Sequence, residues 1–390
     1  MKSEFMYTPL DEIYNKELRR QASTVELIAS ENFVSPRVLK YLGSEFTSKY
    51  TEGYPGKRYY GGCEFYDELE TYCQELWKDV FSTTYHVNVQ PHSGTSANLA
   101  AISAVVNPGE TILSMSLDSG GHLSHGARVS QVGKLYNIVS YGVDDDGWIN
   151  YDKVAKLADQ CQPKLIICGA SAYSRKIDYI RFAEIARSVN AYLLADIAHV
   201  AGLIAANKLP SPFGYADIIT STTQKTLRGP RGGLIFCSPE LAKKIDSAVF
   251  PGTQGGSLMN VIAAKAACAE EALEPEFVDY IDEVIYNAKA MAERFMSHGY
   301  NVITGGTDNH MFLVDLRGTG LTGIDVQNEL EKNNITLNKN AIPNDPLPPS
   351  KTSGIRIGTP AMTTRGWKAN DFCMCADNIC NTLDEMRAAL

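Results

Sequence analysis

The stretch Thr220-Ser221-Thr222-Thr223-Gln224-Lys225-Thr226-Leu227-Arg228-Gly229-Pro230-Arg231-Gly232-Gly233 decides the reading of this chain. It follows an apolar, strand-like run at 216–219 and closes in a Gly/Pro turn. Lys225 has hydroxyl side chains on both sides. A lysine that forms a Schiff base must be held rigidly and partly desolvated, so that its amine can lose a proton. It must also lie near groups that steer that proton. Lys225 suits these needs. Taken alone, a surface lysine on a basic loop is the commoner explanation. Two further segments outweigh it.

The first is Ala191-Tyr192-Leu193-Leu194-Ala195-Asp196-Ile197-Ala198-His199-Val200-Ala201-Gly202. A continuous apolar run ending in one acid reads as a buried strand with Asp196 at its carboxyl end. An unpaired buried acid is costly, so Asp196 needs a cationic or donor partner. A protonated pyridine nitrogen fits, because a carboxylate there keeps the ring an electron sink. A capping Asp before a small-residue turn is the plainer alternative. The second segment is Gln90-Pro91-His92-Ser93-Gly94-Thr95-Ser96-Ala97-Asn98-Leu99-Ala100. Its Ser-Gly-Thr-Ser turn opens a helical run whose free amides and hydroxyls suit a phosphate. An ordinary N-cap would read the same. No Walker-type or dinucleotide glycine fingerprint competes with it. Together the three segments point to a pyridoxal phosphate site.

The chain has 390 residues, 44% of them hydrophobic, which is enough for a large core and two domains. Its net charge of −9 argues against nucleic acid or an anionic membrane as partner. No apolar stretch approaches ~18 residues. Met1-Lys2-Ser3-Glu4-Phe5 lacks a signal-peptide core. Nine scattered cysteines read as reduced thiols in a cytoplasmic protein, and no metal site is expected.

Strand-like runs at 111–115, 164–168, 192–196, 217–220 and 233–237 alternate with helical patterns. That alternation predicts a mostly parallel α/β sheet with helices on both faces. The three segments above fall at strand ends or in the loops after them, where such sheets bind ligands. A long Ala- and Glu-rich helical pattern over 261–296 bridges to a smaller C-terminal domain.

Four more segments carry a resemblance: Val25-Glu26-Leu27-Ile28-Ala29-Ser30-Glu31-Asn32, Lys49-Tyr50-Thr51-Glu52-Gly53-Tyr54-Pro55-Gly56-Lys57-Arg58-Tyr59-Tyr60-Gly61-Gly62, Gly120-Gly121-His122-Leu123-Ser124-His125-Gly126 and Gly354-Ile355-Arg356-Ile357-Gly358-Thr359-Pro360. With these, the chain resembles the serine hydroxymethyltransferase family from about 17 to about 365. The resemblance implies a fold-type I pyridoxal phosphate enzyme. Its large domain (41–275) would carry a mostly parallel seven-stranded sheet. An arm (1–40) would precede it, and a smaller α/β domain (276–390) would follow.

The resemblance also implies roles. Lys225 would hold the cofactor covalently, Asp196 would pair with its ring nitrogen, and His122 would stack on the ring. His199 would reach the phenolic oxygen. Ser93, Gly94 and Thr95 would hold the phosphate, with Ser171 and Gln224 beside the cofactor. Arg356 and Ser30 would bind the substrate carboxylate. Tyr50, Glu52, Tyr60, Gly255 and Gly256 would come from the other subunit of a homodimer, with Glu52 as acid/base. Leu117, Gly121, Leu123 and Asn340 would face tetrahydrofolate, the co-substrate that captures a one-carbon unit from serine.

Several positions depart from the family. Gln224 stands where a histidine is usual, and Ser257 and Asn260 replace a Pro and a His. Gln131-Val132 replaces Phe-Ser, Ser350 replaces a Phe, and the chain ends about one helix early. Aromatic surface lost near a pterin would weaken stacking by roughly 0.5–1.5 kcal/mol per ring pair. A folate-independent relative, of threonine aldolase, transaldolase or α-methylserine hydroxymethyltransferase type, is therefore the second reading. A pyridoxal phosphate-binding protein without catalysis is the third.

Overall fold

The computed structural model describes residues 8–390. The first seven, which include the start of the 1–40 arm and the Met1–Phe5 reading, lie outside the described residues. The central sheet has seven strands: β1 His86–Asn88, β2 Thr111–Met115, β3 Asn137–Tyr141, β4 Leu165–Cys168, β5 Tyr192–Asp196, β6 Ile218–Thr222 and β7 Gly233–Cys237. Their spatial order is β1-β7-β6-β5-β4-β2-β3. Strands β2 to β6 pair in parallel, and β7 runs antiparallel to both β6 and β1. The expected seven-stranded, mostly parallel α/β sheet is present. β4, β6 and β7 are buried along their whole length; β4 and β7 are the apolar runs expected of strands with helices on both faces, and β6 buries the hydroxyls of Thr220, Ser221 and Thr222. Alternate side chains feed two cores. Ile166, Leu193 and Ile219 pack on one face, and Ile167, Leu194 and Ile218 on the other.

A second, four-stranded antiparallel sheet follows: β8 Asn301–Val302, β9 Met311–Asp315, β10 Asn338–Asn340 and β11 Gly354–Gly358, in the order β8-β9-β11-β10. It packs its own core of Phe312, Val314, Ile355 and Ile357 against Phe372 and Ile379. Leu27, from the N-terminal segment, joins that core. No helix among the described residues is long and apolar enough to cross a membrane.

One buried cation ties the sheet to its covering helix. Lys265, on the helix Met259–Leu273, is 1% exposed. Its Nζ donates to the carbonyls of Val89, Pro91 and Gly233 at 2.7, 3.1 and 2.8 Å. These carbonyls close the loop after β1 onto the start of β7. Gly233 is glycine because a Cβ would meet the Ser93 carbonyl oxygen at 2.3 Å. Replacing Lys265 by methionine removes a buried donor from three carbonyls, of which the Pro91 carbonyl keeps the Gly233 amide at 3.0 Å. Lys265→Met should therefore cost about 3 kcal/mol and lower the urea midpoint. An unchanged midpoint would show that the clamp is not needed.

Candidate active site

The carboxyl ends of the parallel strands open into a cleft of about 530 Å³. Lys225 lies three residues beyond β6, and its Nζ donates to Thr222 Oγ1 at 2.8 Å. Asn32 fixes its backbone, with Nδ2 donating to the Lys225 carbonyl at 2.9 Å. Burial pushes the Lys225 amine down to about 8; Asp196 opposes that shift, and Arg356 and Arg231 add to it. Near neutral pH such an amine keeps a useful neutral fraction.

Asp196 ends β5 and also faces the cleft. Its Oδ2 accepts from His125 Nε2 and from Asn98 Nδ2, both at 2.8 Å. Its Oδ1 accepts from the Ala198 amide at 3.0 Å. Burial disfavours the Asp196 charge, but the His125 hydrogen bond, with the His125 and His122 rings nearby and the Asn98 hydrogen bond, outweighs it and holds the carboxyl well below its usual range. An ionised carboxylate offers about four acceptor positions. Three are filled here, which leaves one on Oδ1. Asn98 also links Asp196 to β6, since its Oδ1 accepts from Thr220 Oγ1 at 2.6 Å. His125 and Asn98 were given no role from sequence. His125 stood unremarked in the Gly120–Gly126 motif, and Asn98 in the helix opened by Ser93.

His122 Nδ1 accepts from the Ser124 amide at 3.2 Å, and burial lowers its affinity for a second proton. His199 lines the cleft three residues beyond Asp196 and is held neutral by burial, reinforced by Lys225 and Arg356. Ser93 caps the helix Gly94–Val105, its Oγ accepting from the Ser96 amide at 3.2 Å. The Gly94 and Thr95 amides lie in the first turn of that helix, where no intrahelical partner exists for them. A Cβ on Gly94 would meet Thr222 Cγ2 at 2.6 Å, so only glycine brings the helix start this close to the end of β6, three residues before the lysine. Gln224 lines the cleft, and its Oε1 accepts from the Gly232 amide at 3.3 Å.

Arg356, from β11, enters from the second sheet. Its Nη1 donates to the Ser171 carbonyl at 2.6 Å and its Nε to Asn338 Oδ1 at 3.1 Å. Burial pushes it down to about 10. Among the described residues no carboxylate forms an ion pair with it. Ser30, Leu117, Gly121, Leu123 and Ser171 line the same cleft. Leu117 and Gly121 also border an adjoining cavity of about 760 Å³, where Asn340 lies.

The remaining expected residues gather elsewhere. Tyr50 and Tyr60 stack edge to face at 5.5 Å and are 62% and 49% exposed. Glu52 Oε1 lies 3.8 Å from the position a Cβ on Gly255 would take, and the Tyr50 ring lies against Gly256. None of these five lines the Lys225 cleft. Arg58 fixes the group, with Nη1 donating to the carbonyls of Thr51 and Gly53 on either side of Glu52. Its other nitrogens bind Asp67 and the fully buried Glu70. The departing residues lie outside both cavities except Gln224. Ser257 Oγ pairs with Thr51 Oγ1 at 2.9 Å, Asn260 Nδ2 donates to the Leu42 carbonyl at 2.9 Å, and Val132 is buried.

The family model described as serine hydroxymethyltransferase matches residues 6–379. The chain belongs to the serine hydroxymethyltransferase family. It is 56% identical over 372 residues to the serine hydroxymethyltransferase of Halorhodospira halophila, covering 95% of this chain and 89% of that protein. Against the serine hydroxymethyltransferase of Chromohalobacter salexigens it is 56% identical over 375 residues, again 95% and 89%. Serine hydroxymethyltransferase 2 of Pseudomonas savastanoi pv. phaseolicola is 56% identical over 375 residues, 95% and 90%. Members of this family use pyridoxal phosphate and tetrahydrofolate.

The donor set fits pyridoxal phosphate. The cleft offers an amine, a held carboxylate with one free acceptor position, and a glycine-opened helix start. The lowered Lys225 amine gives a direct test. Only the neutral amine attacks an aldehyde, so labelling of Lys225 in the cofactor-free protein by a small aldehyde and cyanoborohydride should rise with pH and level off above about 8. A rate that keeps climbing to about 10.5, the ordinary lysine value, would mean the amine is unperturbed.

Proposed function

We propose that this chain transfers the hydroxymethyl carbon of L-serine to tetrahydrofolate and leaves glycine, with Lys225 as the residue that holds pyridoxal phosphate. Arg356 carries this reading. A buried guanidinium with no carboxylate partner among the described residues is a seat for an anion, and it opens onto the cleft of Lys225 and Asp196. Its planar fork suits an amino acid carboxylate. When bound, pyridoxal phosphate supplies the electron sink that lets the Cα–Cβ bond of serine break.

The chain's own groups do the rest. The open acceptor position on Asp196 Oδ1 would take a hydrogen bond from a protonated ring nitrogen and so favour its protonated form. The amides of Gly94 and Thr95 would hold the phosphate, and His122, which lines the same cleft, would pack against the ring. Ser30 and Arg356 orient the substrate carboxylate. Glu52, from a second copy of the chain, takes the proton from the serine hydroxyl as the bond breaks. Tyr50, Tyr60, Gly255 and Gly256 arrive with it, which makes the working unit a homodimer. Tyr50 and Tyr60 are exposed and do not line the cleft of their own chain, which supports that arrangement. With the chain divided into an arm (1–40), a large unit (41–275) and a small unit (276–390), the cleft is lined chiefly by the large unit, with Ser30 from the arm and Arg356 from the small unit. We place the protein in the cytoplasm, which its nine free cysteines support.

Serine should give glycine and methylene-tetrahydrofolate in equal amounts, with cleavage strongly stimulated by tetrahydrofolate. Cleavage at the same rate without it would favour the second reading, to which Gln224 points. The shared site has its own test. Equal mixing of Arg356→Ala and Glu52→Ala proteins should restore roughly a quarter of wild-type activity, since half the dimers are hybrid and each hybrid has one complete site. No recovery after subunit exchange would place both residues in one chain's site.

A further inference from the structure

A buried contact between two histidines joins the lysine side of the cleft to the strand that bears Arg356. His199 follows β5, and His310 directly precedes β9. His199 Nδ1 lies 3.3 Å from His310 Nε2, with the rings 27° apart in tilt and 5.5 Å between centroids. His310 is completely buried. Its carbonyl accepts from the Thr359 amide at 3.0 Å, just beyond β11. Its Nδ1 lies against the Ala29 backbone without a well-aligned hydrogen bond. Ala29 is itself fixed by β11, since a Cβ on Gly358 would meet Ala29 Cα at 2.3 Å. His310 therefore touches the residue before Ser30, the strand of Arg356 and the ring of His199.

Burial, reinforced by Arg356 and Lys225, pushes His310 down to about 3, and His199 is likewise neutral. Between two neutral imidazoles only one proton lies in the contact: one ring donates and the other accepts. The tautomer of His310 thus decides whether His199 turns an N–H or a lone pair toward the cleft. Packing alone does not explain His310. A phenylalanine would fill similar space without burying imidazole nitrogens.

We propose that His310 is a positioning residue: it fixes the tautomer and ring orientation of His199, and through His199 it couples the carboxylate-binding half of the cleft to the cofactor half. This rests on the reading that His199 faces the cofactor.

The test uses the holoenzyme of His310→Phe, His310→Gln, His199→Asn and the His199→Asn/His310→Phe pair. Two quantities are read: the visible absorbance band of the bound cofactor, and kcat and KM for serine. Outer-shell partners of metal-bound histidines are worth 10–100-fold, so His310→Phe should lower kcat about ten-fold. Serine KM should hold and the band should shift. His310→Gln, which keeps a polar group in reach, should recover most of both. His199→Asn should shift the band by itself, and adding His310→Phe should change nothing more. If His310→Phe does not fold, His310→Asn, too short to reach His199, takes its place. A silent His310 beside a responsive His199 overturns the inference alone, as do losses that multiply in the double variant. An unchanged band in His199→Asn removes both the inference and the cofactor role given to His199.

Discussion

The cleft depends on one constraint: a carboxylate at the end of a buried strand must stay ionised. Burial works against the Asp196 charge, and the hydrogen bond from His125 is the first influence that reverses this. Asn98 adds a second donor and pins the carboxylate to the neighbouring strand through Thr220. The other charges arrange themselves around that anion. It opposes the fall of the Lys225 amine, which burial and the two arginines drive down. Without the Asp196 charge, the buried Lys225 and Arg356 side chains would lose the one buried carboxylate of the cleft, and their desolvation would go uncompensated.

The second constraint is mechanical. Cofactor-side residues sit on the parallel sheet, whereas Arg356 sits on the antiparallel one. Backbone links hold these parts in register: the Arg356 guanidinium on the Ser171 carbonyl, and Asn32 on the Lys225 carbonyl. The Glu52 group is built separately. Arg58 grips the carbonyls on both sides of Glu52, while Asp67 and Glu70 balance its charge. Gly53–Tyr54 pairs antiparallel with Lys57–Arg58, so Glu52 leads directly into a short hairpin tied down by Arg58.

Much of this was legible in the sequence, and the limits are physical. β4, β5 and β7 announce themselves because strands covered on both faces are largely apolar runs, whereas β6 begins apolar and ends in the hydroxyls of Thr220, Ser221 and Thr222. β1 and β3 do not. His86–Asn88 is three residues long and bears no apolar run. Asn137–Tyr141 is an edge strand whose outer positions are exposed and polar. Lys225, Asp196 and the Ser93 turn were found because each carries a local pattern. His125 and Asn98 reach Asp196 across 71 and 98 residues of chain, so nothing beside them in sequence signals the contact. Lys265 reads as a solvated lysine on an Ala-rich helix. Only the fold reveals the three carbonyls that bury it.

The charge on Asp196 can be tested without changing the shape of the site. Asp196→Asn keeps the side-chain volume and removes the anion. The account predicts that the variant still attaches pyridoxal phosphate at Lys225, seen as a borohydride-fixed adduct. It should exchange the α-proton of glycine with deuterated water on the order of 10²-fold more slowly than wild type. Exchange at the wild-type rate by an adduct-bearing Asp196→Asn protein would contradict the role of that carboxylate.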